Sequence, residues 1–163
     1  MNPHAIIAYA RYRMKAKRLH GVHSPFAYAF SEEILYADKY DQPAANTAKD
    51  KYQLLQNRIK NYYQLTGPTD LAYDTMAPVT DTLLVINDSN PGHWLQILNK
   101  HLPYIQQGTT IIIPGIHDNK RASTKWQLIT KHPRIPMSID VFGYGLLFFR
   151  KEFKEKQHFI LKY

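Results

Sequence analysis

The sequence contains no cysteine. That excludes disulfides, thiolate nucleophiles and every zinc site built on sulfur. Glycine is scarce too, with seven residues in a chain of 163. Average usage of ~7% would supply about 11. The seven are scattered, so a glycine-rich phosphate loop is not expected. Long apolar runs are also missing near the start. Ala5 to Ala10 is a short apolar stretch with no basic segment ahead of it. It is too short for a membrane span or a signal h-region, and a cytoplasmic chain without membrane association is expected. Acids are few, 13 Asp+Glu against 21 Lys+Arg, for a formal charge of +8. Such a balance favours acidic partners without dictating a fold.

Apolar material is plentiful. Hydrophobic residues make up 44% and aromatics 13% of the chain, enough for one folded domain with a real core. The sequence divides into a helical N-terminal region (1–66) and an α/β unit (67–163). In the first, Ile6, Ile7, Ala10 and Met14 recur at helical spacing. Arg11, Lys15 and Arg18 are expected on another face of the same helix, with Gly21 as its stop. Ser24 and Pro25 read as N-cap and first residue of a second helix. Lys51 to Leu65 reads as a third, ended by the turn Thr66-Gly67-Pro68-Thr69-Asp70, with Leu71-Ala72-Tyr73 a possible short strand.

From Thr82 onward the pattern is regular. Thr82–Ile86, Thr109–Ile113, Met137–Phe142, Leu146–Phe149 and His158–Leu161 read as strands. Helices are expected over Gly92–Leu102 and Asn119–Lys131. Apolar runs without alternation, separated by helices, suit a parallel sheet covered on both faces. Gly143-Tyr144-Gly145 reads as a hairpin turn, giving an α/β fold whose sheet is mostly parallel with a C-terminal antiparallel hairpin. Trp94, Trp126 and Leu146–Phe149 are expected in the core.

Two segments carry a resemblance. The first is Lys15-Ala16-Lys17-Arg18-Leu19-His20-Gly21-Val22-His23-Ser24-Pro25-Phe26. The second is the tail His132-Pro133-Arg134-Ile135, Ile139-Asp140-Val141-Phe142, Gly145–Phe153 and His158-Phe159. Both resemble a group of bacterial class I S-adenosylmethionine-dependent methyltransferases, over roughly residues 9–40 and 82–163. The resemblance implies a Rossmann-like sheet. It also implies S-adenosylmethionine held by a glycine-rich turn and by an acid after the second strand. Neither feature is found in this sequence. The family's Asp at the end of the fourth strand is Asn87 here, with Asp88 one place later. Its Asp-Asp before Ile-His is Pro114-Gly115 before Ile116-His117. A doubly wound sheet has two halves, each built from βαβ units of ~30 or more residues. The segment from Thr82 to Tyr163 is expected to supply one half, and the cofactor-binding half is expected to be missing from this sequence.

The remaining candidate groups are few. Arg11, Lys15 and Arg18, interleaved with Tyr9 and Tyr12, suit an anion or a phosphate backbone with bases stacked on tyrosine. A solvated helix face is the plainer reading. His20, His23 and Ser24, in the family motif with Gly21 and Pro25, suggest a metal site or a histidine-activated serine, against a shaped turn with Ser24 as cap. Asp88, His93, His117 and Asp118 fall at strand ends, where α/β sheets bind ligands. Asp118 or Asn119 could equally cap the following helix. The expected role is a non-catalytic binding or assembly module without cofactor or metal. A homodimer or another protein partner would cover the open sheet edge and the uncovered face. The alternatives are a methyltransferase with an atypical or partner-completed S-adenosylmethionine site, and a nucleic-acid-binding protein.

Overall fold

A computed structural model describes residues 3–18, 21–37, 48–71 and 78–163. Helix α1 spans Pro3–Lys15, α2 Pro25–Phe30, α3 Ala48–Tyr62, α4 Pro91–His101 and α5 Lys120–Lys131. A wider π-type turn, Ser31–Leu35, continues α2. The strands are β1 Thr66–Asp70, β2 Thr82–Val85, β3 Thr110–Pro114, β4 Met137–Asp140, β5 Tyr144–Phe148 and β6 Gln157–Ile160.

Side-chain caps start three of the helices. Ser24 Oγ accepts from the Ala27 amide, Asn90 Oδ1 from Gly92 and Asn119 Oδ1 from Ala122. Pro25 and Pro91 occupy first-turn positions, where a missing N–H costs nothing. The strands join in one six-stranded sheet, ordered β1-β2-β3-β5-β4-β6. β1, β2 and β3 are parallel, and β4 is parallel to β6; β5 runs antiparallel to both its neighbours.

Each face of the sheet has its own core. On one, Leu83, Ile112, Met137, Ile139 and Phe148 meet Phe30, Ile34, Leu55 and Ile59 of the N-terminal helices. On the other, Leu84, Ile111, Ile113 and Leu147 meet Trp94, Ile97 and Leu98 of α4 and Trp126 and Ile129 of α5. Fully burying one such aliphatic side chain contributes about 1.5–3 kcal/mol. The uncovered face expected from the sequence is therefore occupied, because the N-terminal helices lie across it.

Three local expectations are corrected. The first strand is Thr66–Asp70, not a segment beginning at Leu71. Pairing with β2 overrides the turn chemistry of Gly67 and Pro68, as an edge position allows. Ala72 and Tyr73 lie outside the described residues. Helix α1 ends at Lys15, six residues before Gly21. Past it, the Lys17 N–H donates to Ile160 O and Lys17 O accepts from Lys162 N–H, so the backbone joins the sheet beside β6. Arg18 is consequently not on the helix. Finally, Ile6, Ile7 and Met14 are exposed, while Ala5 and Tyr12 are the buried positions of α1.

Candidate functional site

Helix α1 stands beside α5 above β4 and β6. Between them is a cavity of about 200 Å³, walled by His4, Arg11 and Lys15 of α1, Ser123 and Trp126 of α5, and His117, Asp140 and His158. The alternation of β4 creates its floor. Met137 and Ile139 point into one core, so Ser138 and Asp140 face the other side.

Asp140 is the organising group. It is only 4% exposed. His117 Nε2 lies 2.7 Å from its Oδ2, Trp126 Nε1–H donates to the same oxygen at 3.1 Å, and the Phe142 amide donates to Oδ1 at 2.9 Å. These contacts offset the cost of burying a carboxylate. Phe142 holds its amide there with φ at +69°, a left-handed conformation rare for a bulky residue. Backbone strain of this kind costs of order 1–3 kcal/mol and tends to collect at functional sites. Its ring also stacks on the His117 imidazole, centroids 5.4 Å apart.

The opposite ring nitrogen of His117, Nδ1, lies 3.0 Å from Ser123 Oγ, and His4 Nε2 approaches the same hydroxyl at 3.2 Å. Beneath them, His158 Nδ1 pairs with Ser138 Oγ at 2.8 Å. Burial holds His158 below the ordinary imidazole range, although part of its ring stays open to solvent. Burial pushes the Tyr12 phenol well above its usual range, so it stays protonated.

Two glycines, Gly143 in the connection between β4 and β5 and Gly145 within β5 rather than in the turn expected from the sequence, admit these partners. A Cβ on Gly145 would lie 2.6 Å from the Trp126 ring, and one on Gly143 2.1 Å from that of Tyr52. Trp126 reaches Asp140 because Gly145 beneath it has no side chain.

The sequence-derived candidates separate in space. Arg11 and Lys15 border the cavity, both exposed, and among the described residues neither pairs with a carboxylate. Arg18 acts instead on Tyr36. Tyr12 is buried, whereas Tyr9 is exposed and packs on Tyr12 and on Phe142, so the two tyrosines do not present one shared face. His20 lies outside the described residues. His23, Ser24 and Lys17 line a shallow hollow. Ser24 is buried and its oxygen caps α2, which accounts for Ser24 and Pro25 as shaping residues.

The strand-end cluster divides in two. Asp88 is held by the Asn90 amide at 2.7 Å and by His93 Nδ1 at 2.9 Å, and these bonds lower its pKa. Neither Asp88 nor His93 borders the cavity. His117 turns to Asp140 instead. Asp118 is exposed, and Asn119 rather than Asp118 caps α5. Among the described residues, no three His, Asp or Glu side chains converge on a metal position.

Strands β1, β2 and β3 follow in one direction, and α4 and α5 pack in the same core. Among the described residues, no helix is long and apolar enough to cross a membrane. No family model, curated protein or solved structure matches the chain.

Proposed function

We propose that this chain is a methyltransferase-like α/β module that transfers no methyl groups and binds a small anion between α1 and α5. The observation that carries this reading is the cavity wall. Arg11, Lys15 and three imidazoles border it, and the one carboxylate among the described residues there, Asp140, already accepts from donors on three residues. A volume of about 200 Å³ lies below the ~300–1,000 Å³ typical of drug-sized ligands. It suits a phosphate or a short carboxylic acid. The mostly parallel sheet with its antiparallel C-terminal hairpin supports the methyltransferase-like part of the reading.

Calorimetric titration with inorganic phosphate, pyrophosphate and succinate tests the proposal. At least one should bind, and affinity should fall ten-fold or more in an Arg11→Glu/Lys15→Glu variant. Equal binding by that variant would sink the anion reading. Separately, micromolar binding of S-adenosylmethionine would restore the methyltransferase alternative.

A further inference from the structure

The direction of the hydrogen bonds around Asp140 gives the cavity a second capability. An ionised carboxylate only accepts, so His117 must present an N–H at Nε2, 2.7 Å from Asp140 Oδ2. In the neutral imidazole, Nδ1 is then a bare acceptor. Ser123 Oγ, 3.0 Å away, is the donor that faces it. His4 Nε2, 3.2 Å from the same oxygen, supplies an N–H to its lone pair. The chain of bonds therefore runs one way, from His4 to Ser123, from Ser123 to His117 and from His117 to Asp140. A serine donating to an imidazole whose far side is fixed by a buried carboxylate is the arrangement of an activated nucleophile, whichever ring nitrogen does which task. Ser123 is half-buried and borders the cavity, so a ligand there can reach it.

We propose that Ser123 is an acyl-accepting nucleophile, with His117 as its general base and Asp140 as the positioning residue. The substrate class is a small ester carrying an anionic group, an element that rests on the anion reading above. Ser123 Oγ bonds to the ester carbonyl carbon while its proton passes to His117 Nδ1. His4, whose Nε2 lies 3.2 Å from Ser123 Oγ, is the donor assigned to the developing oxyanion. The carbon–alcohol bond then breaks, the leaving oxygen takes the proton from His117, and an acyl-serine remains. Water attacks that acyl group, again giving a proton to His117, which returns it to Ser123 as the carboxylic acid departs. Charge and atoms balance with water as the only co-reactant.

A neutral alkyl fluorophosphonate, read by intact mass and peptide mapping, tests the nucleophile without requiring anion binding. The expected result is one adduct per chain on Ser123. Labelling should be absent in Ser123→Ala, slowed about 10²-fold or more in His117→Gln, and unchanged in Thr124→Ala on the exposed side of the same helix. Circular dichroism establishes that each variant is folded. No adduct on the wild type, or an adduct that persists in Ser123→Ala, overturns the proposal while leaving phosphate binding as a separate result. A second measurement compares 4-nitrophenyl hemisuccinate with 4-nitrophenyl acetate. Arg11→Glu/Lys15→Glu should slow the hemisuccinate at least ten-fold more than the acetate. Equal slowing of both esters overturns the anionic substrate class and leaves the nucleophile standing.

Discussion

At the residue scale, Gly145 sets the geometry of the site from outside it. It lies in β5 opposite Asp140. A Cβ there would press the Trp126 ring at 2.6 Å, closer than carbon atoms pack. Trp126 is buried and hydrogen-bonded to Asp140, so it cannot swing away without losing that bond. Overpacking of this kind typically costs about 1–3 kcal/mol. Gly145→Ala should therefore lower the denaturant midpoint by a corresponding amount and change the tryptophan near-ultraviolet dichroism. An unchanged midpoint would show that the ring relaxes freely. The sequence reads Gly143-Tyr144-Gly145 as the turn, but the connection is residues 141–143, and Tyr144 and Gly145 already belong to β5. The rings that require the two glycines come from α3 and α5, distant in sequence. Asp140 did leave a signal: it is the one charged residue in a short strand, Met137–Asp140, where a buried charge must find donors. Ser123 and His4 left none, since a helical serine and an N-terminal histidine have no spacing that sets them apart.

At the element scale, α1 shows how a readable helix can be docked by its unexpected face. The 3.6-residue spacing of Ile6, Ala10 and Met14 marks a stripe, yet that stripe is exposed. Tyr12 decides the docking. Its hydroxyl donates to Leu161 O and accepts from the Tyr163 amide at 3.1 Å, tying the helix to the C-terminal segment. Its ring packs on Phe142 at 5.3 Å. A long-range bond of this sort is invisible to periodicity, which identifies faces without ranking them. Tyr12→Phe keeps the ring but leaves a buried carbonyl and amide short of a partner, which costs about 1–3 kcal/mol. Ile6→Gln, at an exposed position, should stay within about 0.5 kcal/mol of wild type. Chemical denaturation of the two variants distinguishes this docking from the reverse one, in which Ile6→Gln would be the damaging change. The later elements were legible because capping residues and apolar runs agree there. Around β1 they conflict: Gly67 and Pro68 signal a turn, and only the long-range pairing with β2 makes a strand of them.

At the scale of the whole molecule, the sheet is closed to easy addition on the β1 side by composition. β1 carries Pro68 and Asp70, both poor templates for another strand. At the other edge, Lys17 takes up backbone groups of Ile160 and Lys162. With both faces covered, the chain stands as a compact cationic body whose stability should depend on pH through its histidines. Burial depresses the pKa of His158 from 6.5, with Lys156 acting in the same direction and Asp140 and Ser138 opposing. Burial, Lys156 and Arg134 likewise depress His132. A base with a lowered folded-state pKa binds fewer protons folded than unfolded just below its ordinary value. The unfolded chain then gains protons first, so stability rises with pH through that window and is lost as pH falls below about 6.5. The carboxylate Asp88, lowered from 3.8, adds a separate loss only at more acidic pH. Urea denaturation of the wild type between about pH 7 and about pH 5 should give a midpoint that falls with acidification. His158→Gln, which keeps a hydrogen-bonding group for Ser138 but cannot titrate, should reduce the slope across that interval and leave the deeper acid transition in place. A slope identical to wild type would mean that His158 titrates alike in the folded and unfolded chain, and that the ring beneath the cavity is more hydrated than its neighbours Ser138 and Asp140 imply.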